Sequence, residues 1–286
     1  MATRKVAIQG GIGAYHGIAA EKFFQEDEIE IIPCETFRDI FHEIKKDSKV
    51  IGIMAIENTI AGSLLPNYEL LRQHKYAIAG EYKLRISHCL ASLPGEDIRE
   101  VREVMSHPIA LMQCEDFIDT LVDVKVVEHE DTALAARDVA EKQMKHCAAI
   151  CSTRAAEIYG LSILARGIET NKHNFTRFLI FGEKWAVEEI QKDEVINKAS
   201  IVFTLPHSEG SLSKVLSVLS FYDISLTKIQ SLPIIGREWE YQFYVDVKFS
   251  DLKRFHLSID AIKPLITELK ILGEYPEGVQ SEIVLG

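Results

Sequence analysis

Two stretches of the sequence place polar side chains beside apolar, strand-like runs. Glu57, Asn58 and Thr59 follow one such run and put a carboxylate, an amide and a hydroxyl together. Thr176 and Arg177 stand between two phenylalanines and combine a neutral donor, a fixed fork of donors and an apolar wall. Ligand sites of α/β proteins tend to lie at strand ends, although Asn and Thr also serve in ordinary turns.

A third stretch is the glycine-rich turn 10–16, which contains Gly10, Gly11 and Gly13 and precedes a helical pattern. Such a turn exposes backbone N–H groups that can hold an anion at a helix N-terminus. A tight turn without a ligand is at least as consistent with the sequence. The spacing is not that of a Walker motif, and no lysine follows.

The elements that carry these stretches alternate between strand and helix patterns. The run 50–56 is continuously apolar, as in a strand covered on both faces, and Phe37, Ile40, Phe41 and Ile44 form one helix face. Further helices are predicted over 18–24, 64–74, 109–121 and 132–142. The alternation predicts an α/β fold with largely parallel sheets, arranged as two lobes with a cleft between them.

The pattern changes after 183–198, which we interpret as a partly helical linker. Beyond it the order is β-α-β-β-α-β, typical of the ferredoxin-like split unit, with its second helix predicted over 260–269. The sequence therefore predicts two domains, a larger one over 1–184 and a smaller one over 199–286.

Composition limits the class of protein. The chain has 286 residues, 47% hydrophobic and 26% charged, with a net charge of −11, which argues against disorder and against a general nucleic-acid binder. No apolar run is long enough to span a membrane and the first residues do not resemble a signal peptide, so we expect a cytoplasmic protein. The five cysteines are scattered and are expected to be reduced core thiols rather than metal ligands.

Five stretches together resemble the prephenate dehydratase family in their order and separation: 10–13, 56–62, 106–114, 131–136 and 176–178. Two further stretches, 210–213 and 226–229, resemble the amino-acid-sensing module called ACT. Departures from the family pattern are Ala14 and His16 in the glycine-rich turn and Gln230-Ser231-Leu232-Pro233, where the family has Glu-Ser-Arg-Pro. The last change removes a charge and a guanidinium from the sensing module.

The resemblance implies a two-lobed, periplasmic-binding-like catalytic domain plus an ACT domain. It implies loss of water and carbon dioxide from prephenate to give phenylpyruvate, without cofactor or metal. It also implies L-phenylalanine as effector and a homodimer or homotetramer, with no nucleic-acid or membrane partner.

The resemblance also implies residue roles. Thr176 is expected to donate a hydrogen bond or proton to the departing hydroxyl, with Glu57 as a possible proton relay and Asn58 beside them. The expected substrate-binding residues are Arg177, Phe178, Thr59, Ser106, Gln113, Thr132 and Gly13. The expected allosteric residues are Gly210, Ser211, Leu212, Gln230 and Ser231.

Several alternatives stay open at this point. The enzyme could prefer arogenate, which carries an amine in place of the keto group of prephenate, and two lobes around a cleft also suit a non-catalytic ligand-binding module. Arg177 could be a structural ion-pair partner instead of a carboxylate ligand. His107, before Pro108 in a strand-to-helix turn, is more often structural than acid–base.

Overall fold

The computed structural model describes residues 3–25, 27–206, 208–234, 236 and 240–281. By their contacts the residues fall into two compact units. The first unit holds the chain up to Leu64, Tyr82–Phe178 and the chain from Val279, and the second holds Leu65–Glu81 and Leu179–Gly278.

The strands are β1 (Arg4–Gln9), β2 (Ile29–Cys34), β3 (Ile51–Asn58), β4 (Gly62–Ser63), β5 (Ala77–Arg85), β6 (Cys89–Ser92), β7 (Glu103–Ser106), β8 (Lys125–Glu128), β9 (Cys147–Cys151), β10 (Ser162–Arg166), β11 (Phe175–Gly182), β12 (Lys198–Thr204), β13 (Ser225–Pro233), β14 (Tyr241–Lys248) and β15 (Glu268–Tyr275). The helices are α1 (Tyr15–Phe23), α2 (Phe37–Lys46), α3 (Leu65–Gln73), α4 (Pro108–Gln113), α5 (Glu115–Ile118), α6 (Thr132–Glu141), α7 (Thr153–Ile158), α8 (Lys184–Ile190), α9 (Ser211–Phe221) and α10 (Leu252–Ile262).

The first sheet has the order β2-β1-β3-β11-β5, with β4 paired to β3. Strand β1 runs parallel to both β2 and β3. The predicted strand over 50–56 is confirmed as β3, whose first six residues are all buried and which continues through Glu57 to Asn58. Helix α2 buries Ile40, Phe41 and Ile44, the face that the periodicity predicted.

The second sheet has the order β10-β6-β9-β7-β8 and is mixed rather than largely parallel. Strand β7 is parallel to β8 and β9, whereas β6 is antiparallel to β9 and β10. The mainly alanine, valine and cysteine side chains of its two faces form two separate apolar cores. All five cysteines are buried and free, which confirms the prediction of core thiols.

Two helix predictions were wrong in detail. The helix predicted over 109–121 is two short helices, because the backbone at Cys114 leaves the helical region between them. The helix predicted over 260–269 lies earlier, at Leu252–Ile262, where Asp251 caps its first turn. It ends before Pro264, which has no N–H to continue the helix and lies in a single 3₁₀ turn.

The second unit contains the predicted β-α-β-β-α-β order, formed by β12, α9, β13, β14, α10 and β15. Its sheet has the order β13-β14-β12-β15, and every neighbouring pair is antiparallel. By contacts, α3 and the first residues of β5 also belong to this unit, although the sequence places them inside the predicted domain 1–184. Within the described ranges no helix is long and apolar enough to cross a membrane.

Candidate active site

The side-chain amide of Asn58, at the end of β3, is fixed in one orientation. Its oxygen accepts hydrogen bonds from the backbone N–H groups of Ile60 and Ala61, at 2.9 and 2.8 Å. Its nitrogen must therefore be the donor to Asn174 Oδ1 at 2.8 Å and to Thr176 Oγ1 at 2.9 Å. Asn58 is buried, so these bonds form away from bulk water.

Thr176 is the second residue of β11, and its side chain is buried beside the amide of Asn58. Among the described residues, the one hydrogen bond of its hydroxyl is the bond that it accepts from Asn58. A hydroxyl that accepts a bond can still donate its own proton. The arrangement thus leaves Thr176 as a donor for a bound molecule.

The amide network continues beyond Asn58 to Gln113, the last residue of α4, and to His88, which precedes β6. Asn174 Nδ2 donates to Gln113 Oε1 at 2.9 Å, and His88 Nε2 lies 3.1 Å from the same oxygen. The hydroxyl of Tyr15 lies 2.8 Å from His88 Nδ1. Burial lowers the pKa of His88, against the opposing influence of Gln113 and a nearby carboxylate. The network therefore consists of neutral groups near pH 7.

Sequence reasoning gave no site role to three members of this network: Asn174, His88 and Tyr15. Asn174 begins the stretch 174–178 that stands out in the sequence, but only Thr176, Arg177 and Phe178 were assigned roles there. His88 stands in an apolar stretch, where a single histidine does not differ in pattern from one in a core. Tyr15 follows the glycine-rich turn and gave no separate signal.

Glu57 and Arg177 lie on β3 and β11 and form a loose ion pair, with Nη1 3.9 Å from Oε2. The Arg177 side chain is 9% exposed and that of Glu57 is 37% exposed. Glu57 is therefore an ion-pair partner of Arg177, and the 3.9 Å separation of these two atoms is longer than in a tight bidentate pair.

Thr59 and Phe178 are held by the protein itself. The Thr59 hydroxyl donates to the carbonyl of His173 at 3.0 Å and accepts the N–H of Phe175 at 2.9 Å. Phe178 packs edge-on against His16, with ring centroids 5.0 Å apart. Thr59 thus fixes the start of β11, and Phe178 packs β11 against α1.

His16, one of the departures from the family pattern, is an internal packing residue. Burial lowers its pKa to about 3, and Nε2 accepts the backbone N–H of Ala55 at 3.2 Å. Ala14, the other departure, is buried in the apolar core of the second sheet. A hydroxyl at position 14 would therefore have to be buried there.

The glycine-rich turn contacts the N-terminal ends of α6 and α7. Gly13 has φ +90°, and an added Cβ would lie 2.8 Å from Ala155 Cα, so only glycine fits. Ser152 Oγ donates to the carbonyl of Gly13 at 2.7 Å. The N–H of Gly11 is directed at Asp131 Oδ1, 3.4 Å away, so a protein carboxylate occupies this donor.

Two other predicted residues lie outside the amide network. Ser106 is fully buried and donates to the carbonyl of Ile150 at 2.6 Å, which ties β7 to β9. Thr132 is the first residue of α6, whose N-cap is Asp131. Among the described residues, no hydrogen bond joins Ser106 or Thr132 to Asn58. His107 caps α4 through Nδ1, the structural role that the sequence favoured.

A cavity of about 490 Å³ lies next to the glycine-rich turn. It is lined by Gln9, Gly10, Gly11, Pro33, Cys34, Glu35, Glu130, Asp131, Leu134 and Arg137. Three carboxylates face one guanidinium in this lining, so its charge is predominantly negative.

A separate cavity of about 250 Å³ lies in the second unit, at the N-terminus of α9. It brings together three predicted allosteric residues: Gly210, Ser211 and Leu212. The Ser211 hydroxyl donates within its own turn, to the carbonyl of Pro206 at 2.9 Å. Gln230 and Ser231 lie on β13, outside the lining of this cavity.

Comparison with known proteins agrees with the resemblance seen in the sequence. Residues 6–186 match the family described as prephenate dehydratase. The chain belongs to the prephenate dehydratase family. It is 37% identical to arogenate dehydratase 2 of Petunia hybrida, over 95% of this chain and 71% of that protein.

Two solved structures extend the family comparison to the fold. A structure described as GqqA, a novel type of quorum quenching acylase, has a TM-score of 0.83 at 28% identity and covers 96% of this chain and 98% of its own. The prephenate dehydratase of Arthrobacter aurescens in complex with L-Phe has a TM-score of 0.81 at 21% identity, covering 96% and 90% of the two chains. The predicted family and fold class are thus confirmed.

Proposed function

We propose that this member of the prephenate dehydratase family converts prephenate to phenylpyruvate, with Thr176 as the hydrogen-bond donor to the departing hydroxyl. The observation that carries this proposal is the hydroxyl of Thr176, which accepts a bond from Asn58 and keeps its own proton for a ligand. Family membership supplies the reaction class.

The chemistry requires two coupled bond cleavages. The electron pair of the bond between the ring and its carboxylate enters the ring as carbon dioxide leaves, and the ring C–O bond breaks at the opposite carbon. The departing hydroxide takes up a proton and leaves as water. An aliphatic hydroxyl is a weak acid near neutral pH, so a preorganised hydrogen bond is the contribution expected of Thr176.

Asn58 makes Thr176 a better donor in this scheme. A hydrogen bond donated into Oγ1 polarises the O–H bond, and chains of hydrogen bonds strengthen one another. Glu57, at the end of the same strand as Asn58, is our candidate for the group that relays the proton. Arg177 is the candidate ligand for a substrate carboxylate, because it follows Thr176 directly in β11 and its guanidinium presents paired N–H donors that match a carboxylate.

The remaining proposed binding residues have supporting roles. Gln113 accepts the hydrogen bond that Asn174 donates, and Thr59 accepts the N–H of Phe175 at the start of β11. Phe178 packs against His16, and Gly13 permits the close approach of the glycine-rich turn to α7. Thr132 stays a proposed donor to the substrate. Ser106 is assigned a supporting role only, because its hydroxyl proton already bonds to the carbonyl of Ile150.

Arogenate is the second candidate substrate. The relative from Petunia hybrida is named an arogenate dehydratase. Arogenate has an amine where prephenate has a keto group, so a few contacts at that position would decide between the two substrates. The reacting ring is the same in both substrates, so the proposed role of Thr176 is unchanged.

Acyl transfer, the chemistry named for the GqqA structure, is less consistent with this site. A hydroxyl nucleophile needs an adjacent base to remove its proton. Among the described residues, the hydrogen-bond partner of the Thr176 hydroxyl is the amide N–H of Asn58, which donates and cannot act as a base.

The deciding experiment is a steady-state assay of purified protein with prephenate and, in parallel, arogenate. We expect phenylpyruvate from prephenate. A higher kcat/KM for arogenate, with phenylalanine as product, would replace the first substrate by the second. If the folded protein consumes neither prephenate nor arogenate, the result would contradict the proposal and favour the non-catalytic binding module.

We further propose that L-phenylalanine binds the second unit as an effector. The 250 Å³ cavity at the N-terminus of α9 supports this, together with the L-Phe complex of the Arthrobacter aurescens protein. Gln230 and Ser231 lie outside that cavity, so we propose that a second copy of the chain completes the site in a homodimer or homotetramer. Sedimentation velocity with and without L-phenylalanine, beside calorimetric titration, tests both statements, and absence of heat would contradict the first.

A further inference from the structure

The amide network of the candidate site has a single direction. Asn58 Oδ1 accepts two backbone N–H groups, so its Nδ2 donates to Asn174 Oδ1. That bond fixes Asn174 in turn, and its Nδ2 donates to Gln113 Oε1 at 2.9 Å. Each amide thus sets the orientation of the next, and the polarity begins at the backbone of Ile60 and Ala61.

The direction of the hydrogen bonds in the amide network determines the tautomer of His88. Gln113 Oε1 is an acceptor and lies 3.1 Å from His88 Nε2, so this nitrogen must carry a proton. Burial lowers the pKa of His88 and keeps the ring neutral, which leaves Nδ1 as an acceptor. Tyr15 faces Nδ1 at 2.8 Å, and its single proton is shared with the carbonyl of Ser87, also 2.8 Å away.

We infer that His88 is a positioning residue for the reaction: its Nε2–H holds Gln113, and through the two asparagines it holds the amide that donates to Thr176. This inference rests on the proposed function. It assigns His88 a task in catalysis without contact with the substrate, because three side chains stand between its ring and the Thr176 hydroxyl.

The backbone of His88 is fixed independently of its ring. Its N–H donates to Glu169 Oε2 at 2.9 Å, and its carbonyl accepts the N–H of Ile168 at 3.1 Å. Glu169 is itself buried and paired with Arg85 at 3.1 Å. A change in the ring can therefore remove the contact with Gln113 while this backbone anchoring is retained.

The test compares His88→Leu with His88→Gln in steady-state assays of the substrate that the wild type turns over. Because a misplaced catalytic group costs rate rather than ground-state binding, we expect kcat to fall about 10- to 100-fold in His88→Leu with little change in KM. His88→Gln keeps a donor near the position of Nε2 and is expected to recover part of the loss. Equal kcat values in wild type and folded His88→Leu would overturn the inference.

A matched control is His74→Gln, a half-buried histidine of the second unit whose Nδ1 contacts the carbonyl of Leu70. It should keep the wild-type kcat. If His88→Leu does not fold, Tyr15→Phe serves in its place, since it removes the partner of Nδ1 and retains the ring. We expect a smaller fall in kcat for Tyr15→Phe, and no fall at all would contradict the inference.

A spectroscopic measurement separates this inference from the proposed function. Nitrogen-15 spectra of histidine-labelled wild type, assigned with His88→Gln, should show the neutral Nε2–H tautomer for His88. The Nδ1–H tautomer or a charged ring would overturn the directional chain even in an active enzyme. Conversely, the expected tautomer in a protein inactive on both substrates would refute the proposed function alone.

Discussion

Two buried polar networks, one in each unit, differ in kind. The network around Asn58 in the first unit consists of amides, an imidazole and hydroxyls. The pair formed by Lys198 and Glu81 in the second unit is charged: Lys198 Nζ lies 2.8 and 3.0 Å from the two oxygens of Glu81, with 4% and 0% of their side chains exposed. Near them along the chain, Glu69 pairs with Arg72 at 2.6 Å and accepts the hydroxyl of Tyr244 at 2.8 Å.

The difference shows what each kind of network is suited to. An amide has a donor end and an acceptor end, so a chain of amides fixes direction and does not titrate. A carboxylate accepts on every side, so an ion pair fixes position but no direction, and its loss leaves a costly buried charge. A hydrogen bond of fixed direction is required where a side chain donates a proton to a ligand. An ion pair is sufficient where two strands, such as β5 and β12, only have to be held in position.

The largest effect is expected from Lys198→Met in the charged pair. This change leaves Glu81 buried without its cation, and breaking a buried pair costs about 3–5 kcal/mol. Chemical denaturation of the full chain measures the loss. The double variant Lys198→Met/Glu81→Gln should regain much of it, and a double variant as unstable as the single one would show that packing, not charge, sets the cost.

The next effect is expected from Thr176→Ala at the end of the neutral network. Loss of one preorganised donor costs about 2.7–4 kcal/mol of transition-state stabilisation, about 100- to 1,000-fold in kcat. KM should change little, and Thr176→Ser, which keeps the hydroxyl, should retain most activity. Turnover by Thr176→Ala at the wild-type rate would exclude Thr176 from the mechanism.

Asn58→Asp tests the direction of the network without changing its size. A carboxylate can still accept from Ile60 and Ala61 but cannot donate to Thr176, whose proton would then bond to Asp instead of the substrate. We expect a fall in kcat of about 100-fold and a loss of about 1–3 kcal/mol in stability from the disrupted buried bonds. Asn67→Asp, at a buried asparagine of α3, is the comparison that introduces a charge outside the amide network. Equal losses of kcat in both variants would speak against a directional role.

The smallest effect is expected from Glu69→Gln in the charged cluster. Burial alone would raise the pKa of Glu69, but hydrogen bonds from Arg72, Tyr244 and Gln242 outweigh it and hold the pKa at about 2. A lowered pKa stabilises the fold above the ordinary carboxyl range, and this stability is lost as the pH falls towards 2. We expect Glu69→Gln to cost about 1 kcal/mol at pH 7, discounted for partial exposure, with a difference that shrinks on acidification. A difference independent of pH would mean that the charge of Glu69 is not its source.

The sequence predicted elements best where one face or both faces are buried along their length. The run that became β3 and the face of α2 gave clear periodicities. Strand β10 was missed because it is a half-buried edge strand whose apolar run, 163–165, is only three residues long. The break at Cys114 and the early start of α10 depend on caps and turns that periodicity does not register.

The candidate site was predictable to the extent that its residues are contiguous in the chain. Asn58 and Thr176 are 118 positions apart, and only the family resemblance joined them before the fold was known. His88 could not be found in that way, because its partners Gln113 and Tyr15 come from other elements. A pattern along one segment carries no information on which distant side chain completes a hydrogen bond.

Because of helix α3, the two units cannot be separated by dividing the chain at the linker 183–198. Helix α3 follows β4 in the sequence, yet its buried residues Tyr68 and Leu71 belong to the second unit, where the Tyr68 ring lies 5.2 Å from that of Tyr244. A chain shortened to the first 184 residues would keep α3 and lose the sheet that covers it, exposing apolar surface that invites aggregation. The coding sequence of the second unit is therefore discontinuous. A recombination event at the linker would transfer residues 199–286 without α3 and would yield an incomplete second unit.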